Sequence, residues 1–481
     1  MKKVVIIGGG LGGLTAGAFL AKNGYDVTLL EQHSIVGGCA TVFKRGDFTC
    51  EVGLHEMDGV YTNPRIKEIF EILGVYENVE FVKADEFFRI VTKYGEFIMP
   101  DNVEKAKQAL KERFRLEHKA IDIYFELIEK VATALQKLVD PTWLDYLLFP
   151  FKFFVLLRYK NKSVKEVLNS LTNNEELKVI LNANVQYYND TPKTLSFLLH
   201  AIAQYSYYTG GGWFIKGGSY KLSEYLASVI TQNGGEVITK ADVIQASSKD
   251  VIYLHKKEKF TEKADVIVSN ISPADTYRLF NIPYQETKQI AESIITVYLG
   301  FSKNLKTLYP DGKYSNFLFD KVASQEEFEA HAARDITQKD FVFVDYSRVD
   351  SKLTSNEKSF GAVCVLDELS IWEDLDKESY KKKKEQVVEH VIKHLEKYYP
   401  NIGQYVEYAE MATPKTMQRY VRSPNGTAYG YKPTPKQFFK IPNVRSNKID
   451  NLYFTGQFII AGGFSPSIMS GYLCFKEILK R

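Results

Sequence analysis

The chain opens on a short run of β-branched residues, Val4-Val5-Ile6-Ile7, the composition of a strand. The pattern then changes to glycine, Gly8-Gly9-Gly10-Leu11-Gly12-Gly13, and next to a helical stretch, LTAGAFLAKNG. A second strand from Tyr25 to Leu30 ends at Glu31, so this segment predicts a β-α-β unit. Gly8, Gly10 and Gly13 carry the G-x-G-x-x-G spacing. The first glycine permits the tight turn, the second lets backbone approach a pyrophosphate, and the third lets helix pack on strand. Amides at the helix start, at Leu11 and Gly12, then face the phosphates. Glu31, at about the expected ~20-residue offset, sits where a carboxylate accepts hydrogen bonds from ribose hydroxyls.

Further along, Asp101 to Leu138 repeats apolar residues at three- and four-residue spacing (Leu110, Phe114, Ile121, Tyr124, Phe125, Ile128, Val131), which predicts helices with a core-facing stripe. The whole region from about Tyr76 to Tyr208 reads as helical. SIITVYLGF, DFVFVDYS and FGAVCVLD predict an antiparallel sheet. Lys377 to Tyr399 predicts an amphipathic helix whose run Lys381 to Lys384 is a solvated face. Near the end, NLYFTGQFIIAGGFSPSIMSGYL passes from a strand through a Gly-rich loop to a helix start around Pro466. It is a second turn of the kind that serves something at a helix N-terminus.

A chain of 481 residues is longer than one core normally supports, so two or more substructures are expected. With 62 basic against 59 acidic residues, the chain carries no nucleic-acid footprint. Cys39, Cys50, Cys364 and Cys474 lack metal-ligand spacing and suggest no disulfide framework, which fits a reducing compartment. WLDYLLFPFKFFVLLRYK, Trp143 to Lys160, is too interrupted to span a bilayer, which needs ~20 apolar residues. It reads equally as a segment lying on a membrane surface or as a buried helical hairpin.

NAD and FAD both use such a turn, and the ribose acid does not separate them. The residues after Glu31 do. EQHSIVGGCATVFKRGDFTCEVGLHEMDG places Gly37-Gly38 where a second backbone segment can pass an extended cofactor. GGGLGGLTAGAFLAKNGYDVTLLEQHSIVGGCAT resembles the FAD-binding start of the phytoene desaturase, carotenoid isomerase and retinol saturase group of flavoproteins, and is more distantly similar to amine oxidases. The resemblance implies an α/β fold, with a discontinuous Rossmann-type FAD-binding domain (1–75, 209–290 and 420–481). A second, α+β substrate-binding domain (76–208 and 291–419) would combine a helical part with an antiparallel sheet. Gln32 and Cys39 flank the implied cofactor, and Gly53-Leu54 let the chain pass the ring. The closing stretch resembles the element that returns to the flavin. It implies cofactor contacts from Gly456 and Gln457 and a helix start at Pro466-Ser467-Ile468 aimed at the pyrimidine ring. Its Gly-Gln is closer to retinol saturases than to the Gly-Asp of phytoene desaturases. GGEVITKADVIQASSKDVIYL resembles the family's middle β-meander, implying a backbone contact from Val243 to adenine. ADVIVSNISP, with Asn270, is similar to the strand that re-enters the dinucleotide domain.

No histidine pair has metal spacing and no serine elbow occurs, so no metal is expected and the flavin is the expected reactive group. His55 and Glu56, in EVGLHEMDG, are the residues expected beside it as catalytic groups, although a lone loop histidine is more often structural. Without a second G-x-G-x-x-G there is no resident nicotinamide domain, and the external electron donor or acceptor stays open. The resemblance implies redox or redox-assisted chemistry on carbon–carbon double bonds of a long apolar polyene, carotenoid-like or retinoid-like, by desaturation, saturation or isomerisation. An amine-oxidase-like enzyme and a non-redox Rab-escort-like prenyl carrier are the alternatives. A polyene substrate implies a cytoplasmic enzyme, peripheral on the inner face of the membrane through 143–160.

Overall fold

The structure, a computed structural model, describes residues 1–139, 153–188 and 191–480. The β-branched run forms the strand Lys3–Ile7, fully buried from Val4 to Ile7 because a strand lies on each side of it. Distant parts of the chain supply those neighbours. The five-stranded sheet runs Glu236–Ile238, Asp26–Leu30, Lys3–Ile7, Val266–Ser269, Leu452–Phe454, and every pairing is parallel. The helix Leu11–Lys22 is buried from Leu11 to Ala21 and packs against the helices Tyr220–Gln232 and Phe464–Leu479. Two glycines set that last crossing: a Cβ on Gly471 would lie 2.4 Å from the Gly12 carbonyl.

A seven-stranded sheet forms the second layer system, in the order Val406–Ala412, Ser293–Phe301, Ser359–Asp367, Phe341–Asp345, Ser315–Leu318, Phe88–Thr92, Gly95–Met99. Its pairings are antiparallel except that Ser315–Leu318 runs parallel to Phe88–Thr92. The helix Lys377–Glu396 covers one face, burying Val387, Val391 and Leu395 with Phe341, Phe343 and Val363. Of the run expected as a solvated face, Lys381 and Lys382 are exposed, whereas Lys383 and Lys384 are half-buried over the Trp372 and Tyr380 rings.

The helical reading of 76–208 is corrected at its start, where Phe81–Lys83, Phe88–Thr92 and Gly95–Met99 are strands. Phe88–Thr92 does alternate buried and half-buried positions, and Gly95 takes the positive φ of 101° that closes its hairpin. Phe88–Thr92 and Gly95–Met99 pair locally, but the strands that anchor them and Phe81–Lys83, Ser315–Leu318 and Gly212–Ile215, lie far along the chain, beyond the reach of local periodicity. The apolar stripe of 101–138 also divides, into Val103–Arg113 and His118–Val139, with the break at Phe114. The middle meander is Ala241–Ala246, Asp250–His255 and Glu258–Lys263, while Glu236–Ile238 joins the parallel sheet instead. Residues 143–152 of the suspected membrane segment lie outside the described residues. Of the rest, Phe153 is core, and the helix Phe154–Tyr159 exposes Phe154 and Leu157. Among the described residues no helix is long and apolar enough to cross a membrane.

Candidate active site

The glycine turn closes as its spacing predicts. Gly8, at φ 95°, donates its N–H to Leu30 O, and Gly13 packs so tightly that a Cβ would lie 2.4 Å from Gly8 O. Asn270, just beyond the strand Val266–Ser269, accepts from Gly13 N–H at 3.0 Å through Oδ1 and would be struck by a Cβ on Gly10. Its role is to brace the turn from below. Glu31 is buried, accepting from Gly9 N–H and His33 N–H at 2.7 Å each, so its carboxylate is fixed at the tip of its strand. Gln32 turns away and donates to Tyr420 O at 3.2 Å. Val243 sits half-buried in the first meander strand, just past the Ala241 N–H bond to Glu31 O.

From this turn a line of close backbone approaches leads inward. Gly37 donates to Gly9 O at 2.7 Å, a Cβ on Gly38 would lie 3.5 Å from Gly10 Cα, and a Cβ on Gly53 would lie 2.6 Å from Cys39 O. The line ends at two carboxyls, one ending a strand and one on the loop that follows it. Glu51 is buried and its carboxyl accepts four bonds: from Gly53 N–H, Leu54 N–H and the Ser219 hydroxyl at Oε1, and from Ser219 N–H at Oε2. Burial still pushes its pKa up to about 7, against those donors. Glu56 has one partner, the Ser315 hydroxyl at 2.7 Å from Oε1, and Ser315 Oγ in turn lies 2.8 Å from the Tyr187 hydroxyl. Its Oε2 is shut off from solvent with no hydrogen-bond partner among the described residues. Burial first, then Glu86, Asp101 and Asp58, push this carboxyl up to about 8, so it holds its proton at neutral pH.

His55, between them, is bound at both ring nitrogens. The Tyr346 hydroxyl donates to Leu54 O, so Nδ1–H of His55 donates to Tyr346 at 2.9 Å and Nε2 faces Cys364 Sγ. Burial lowers the ring's pKa to about 4 and keeps it neutral.

The closing element returns to the same place. Past Leu452–Phe454, Gly456 N–H donates to the Ser470 hydroxyl at 2.7 Å, and the Gln457 carbonyl packs on Gly430. The helix begins at Phe464, two residues before Pro466, after Gly463 at φ 103°. Ser465 Oγ donates to Asp58 O at 3.2 Å, which ties this helix start to the Glu56 loop. Pro466 and Ser467 are half-buried and Ile468 is core. Neither this helix nor Leu11–Lys22 has a side-chain cap or an acidic residue in its first turn. Two uncapped helix starts, glycine approaches and a fixed strand-tip carboxylate are what an anionic dinucleotide requires, and FAD fits them.

This fold and site define a flavin-dependent oxidoreductase. The chain belongs to the family described as flavin containing amine oxidoreductase, whose model matches residues 11–479. It is 26% identical to an all-trans-retinol 13,14-reductase of Danio rerio, covering 99% of this chain and 86% of that protein. It is 25% identical to a 4,4'-diaponeurosporene oxygenase of Staphylococcus haemolyticus, covering 97% and 95%. The structure of a putrescine oxidase bound to putrescine superposes with TM-score 0.66 at 14% identity, covering 100% of this chain and 99% of that one, and shares the fold. The cofactor is FAD.

Sequence reasoning missed Glu51, Ser315 and Tyr187. The only available signal for Glu51 was an acid ending the otherwise apolar-polar alternation of Phe48–Glu51, beside the Val-Gly-Leu that it binds. Ser315 and Tyr187 carry no local signal, because only the tertiary fold brings them to Glu56.

Proposed function

We propose that this FAD-dependent oxidoreductase acts on carbon–carbon double bonds of a long apolar polyene, retinoid- or carotenoid-like, in the saturating direction. The observation that carries the direction is Glu56. It is a half-buried carboxyl, protonated at neutral pH, whose Oε1 accepts from Ser315, so its own proton sits on Oε2, the enclosed oxygen without a partner among the described residues. Saturation of a double bond needs a proton at one carbon, whereas abstraction from an allylic carbon does not. Bound FAD supplies the two-electron exchange with the other carbon. Tyr187 donates to Ser315 and Ser315 to Glu56, so the carboxylate left after proton transfer stays hydrogen-bonded at Oε1 until solvent reprotonates it on product release.

The two uncapped helix starts, Glu31 and the glycine line would hold the cofactor. Its residues are those expected above, with Gln32 reassigned to support through Tyr420 and Asn270 to bracing the turn. His55 orients the loop through Tyr346 and Cys364. The parallel-sheet segments would form the FAD-binding domain and the seven-stranded sheet with its helices the substrate-binding domain. Supply of such a substrate from a bilayer gives the exposed Phe154 and Leu157, next to Arg158 and Lys160, a peripheral membrane role. Full-length coverage by relatives named for a retinol reductase and a carotenoid oxygenase favours the polyene over the amine.

The test is anaerobic turnover of the purified, reduced holoenzyme with all-trans-retinol and with a C30 carotenoid in deuterated water. Loss of one conjugated double bond is expected, with solvent deuterium at both of its carbons, because the hydrogen carried by reduced flavin also exchanges with solvent. Oxidation of putrescine or cyclohexylamine without polyene turnover would overturn the proposal.

A further inference from the structure

At the far end of the seven-stranded sheet, Asp320, Asp340 and His394 come together from three elements. Asp320 lies just after the strand Ser315–Leu318, Asp340 precedes Phe341–Asp345, and His394 lies in the last turn of the helix Lys377–Glu396. One potential ligand atom from each lies within 4.8 Å of the other two. Two of the side chains are almost wholly enclosed, Asp340 at 2% and His394 at 4% exposure. Buried carboxyls and imidazoles ordinarily find hydrogen-bond partners. Here Asp340 Oδ2 is shut off from solvent with no hydrogen-bond partner among the described residues, whereas Asp320 is met by the Tyr398 hydroxyl. The separations that remain are too long for hydrogen bonds: Asp340 Oδ1 to His394 Nδ1 is 3.8 Å, and Asp340 Oδ2 to His331 Nε2 is 3.8 Å. They do suit an ion. Ligands bound at ~2.1 Å to a tetrahedral metal lie roughly 3.4 Å apart.

We propose that Asp320, Asp340 and His394 form a structural site for a divalent first-row cation, a site separate from the FAD chemistry. One imidazole and two carboxylates are a donor set for Zn²⁺ and its neighbours, and their two negative charges balance a dication. Lys397 engages Asp320 Oδ2 at 2.7 Å and leaves Oδ1 for the ion. Asp320 is half-buried, which gives an entry path. His331 takes the Asp340 backbone N–H on Nε2, so it positions Asp340 and does not ligate. Asp340 and Tyr346, which touches His55, stand at opposite ends of one strand-and-turn, roughly 20 Å apart at ~3.3 Å per residue. The ion therefore clamps the sheet to its covering helix. The spacing 320, 340, 394 forms no sequence motif, so the pattern of histidines concealed it.

The test uses the holoenzyme, stripped with EDTA and then titrated with Zn²⁺, and in parallel with Mn²⁺. Readouts are bound metal per chain, thermal midpoint and flavin absorbance. One Zn²⁺ per chain, a saturable rise in midpoint and unchanged flavin are expected. His394→Gln and Asp320→Asn should each weaken binding on the order of 100-fold, at or beyond the upper end seen for changes next to a metal, while keeping flavin. Equal binding by wild type and both variants, or no saturable binding by wild type, would overturn the proposal and leave an internal polar cluster held by water.

Discussion

Glu51 ends a strand and Glu56 lies on the loop that follows it; Glu51 is buried, Glu56 half-buried, and both titrate above the ordinary carboxylate range, yet they are built for different ends. Glu51 accepts four hydrogen bonds and joins the Gly53-Leu54 segment to the Ser219 turn. Glu56 accepts one and leaves an oxygen alone. A saturated buried carboxyl is a strut, and an unsaturated one keeps a proton available. On the proposed role for Glu56, a raised carboxyl pKa alone does not separate an acid from a strut. What marks the acid is an unfilled position in its hydrogen-bonding shell.

The largest effect that could break this contrast is on turnover. Glu56→Gln keeps the shape and the Ser315 bond but carries no transferable proton, so kcat should fall by ~10²–10⁴-fold. Flavin content and thermal midpoint should stay near wild type, and a near-normal kcat would make Glu56 a second strut. Glu51→Gln should act the other way round. Placing an amide where Ser219 N–H or the loop amides donate should cost on the order of 1.5–3 kcal/mol of stability. Denaturant unfolding measures that loss, with kcat per folded, flavin-loaded molecule little changed.

pH sharpens the contrast further. Turnover by Glu56 as acid should be flat at neutral pH and fall about tenfold per unit above about 8. For stability, each raised carboxyl keeps its proton in the folded protein after the unfolded chain has lost it. Its stabilising contribution is therefore full below 4.5 and is lost as pH rises, up to about 7 for Glu51 and about 8 for Glu56. Measured against pH, the stability gap between Glu56→Gln and wild type should shift in the variant's favour across that window. The smallest effect belongs to His55. Its ring is neutral and bound at both nitrogens, so His55→Gln should lower kcat by about tenfold or less, the worth of one or two neutral hydrogen bonds. A loss as large as that of Glu56→Gln would place His55 in the proton path.

Much of the cofactor half was readable because its chemistry is written in adjacent residues. Gly8, Gly10, Gly13 and Glu31 act through spacing, and Gly463 and Pro466 mark a helix start by their own backbone preferences. The seven-stranded sheet was readable only in part. The strands Ser293–Phe301, Phe341–Asp345 and Ser359–Asp367 are long apolar runs, whereas the hairpin Phe88–Met99 joins the sheet through a partner of Phe88–Thr92 more than two hundred positions away. The candidate site divides the same way. His55 and Glu56 lay inside a suggestive stretch, but their distinct roles depend on Tyr346, Cys364 and Ser315, which only the folded chain delivers. Asn270 was expected as a cofactor contact on the re-entering strand, whereas its hold on the glycine turn needed the 3.0 Å bond from Gly13 to be seen.

The crossing of Gly12 and Gly471 also governs when the protein can be finished. The helix after the first glycine turn leaves the ribosome almost at once, but its closest packing partner is made some 450 residues later. At ~5–20 residues per second that interval is on the order of half a minute. Throughout it, the apolar flank of Leu11–Lys22 and one edge of the parallel sheet stay uncovered, awaiting Leu452–Phe454 and Phe464–Leu479. Nascent chains are thus exposed to chaperones and proteases for most of their synthesis. If the closing helix start holds FAD as proposed, cofactor capture is a late event that coincides with completion of the fold.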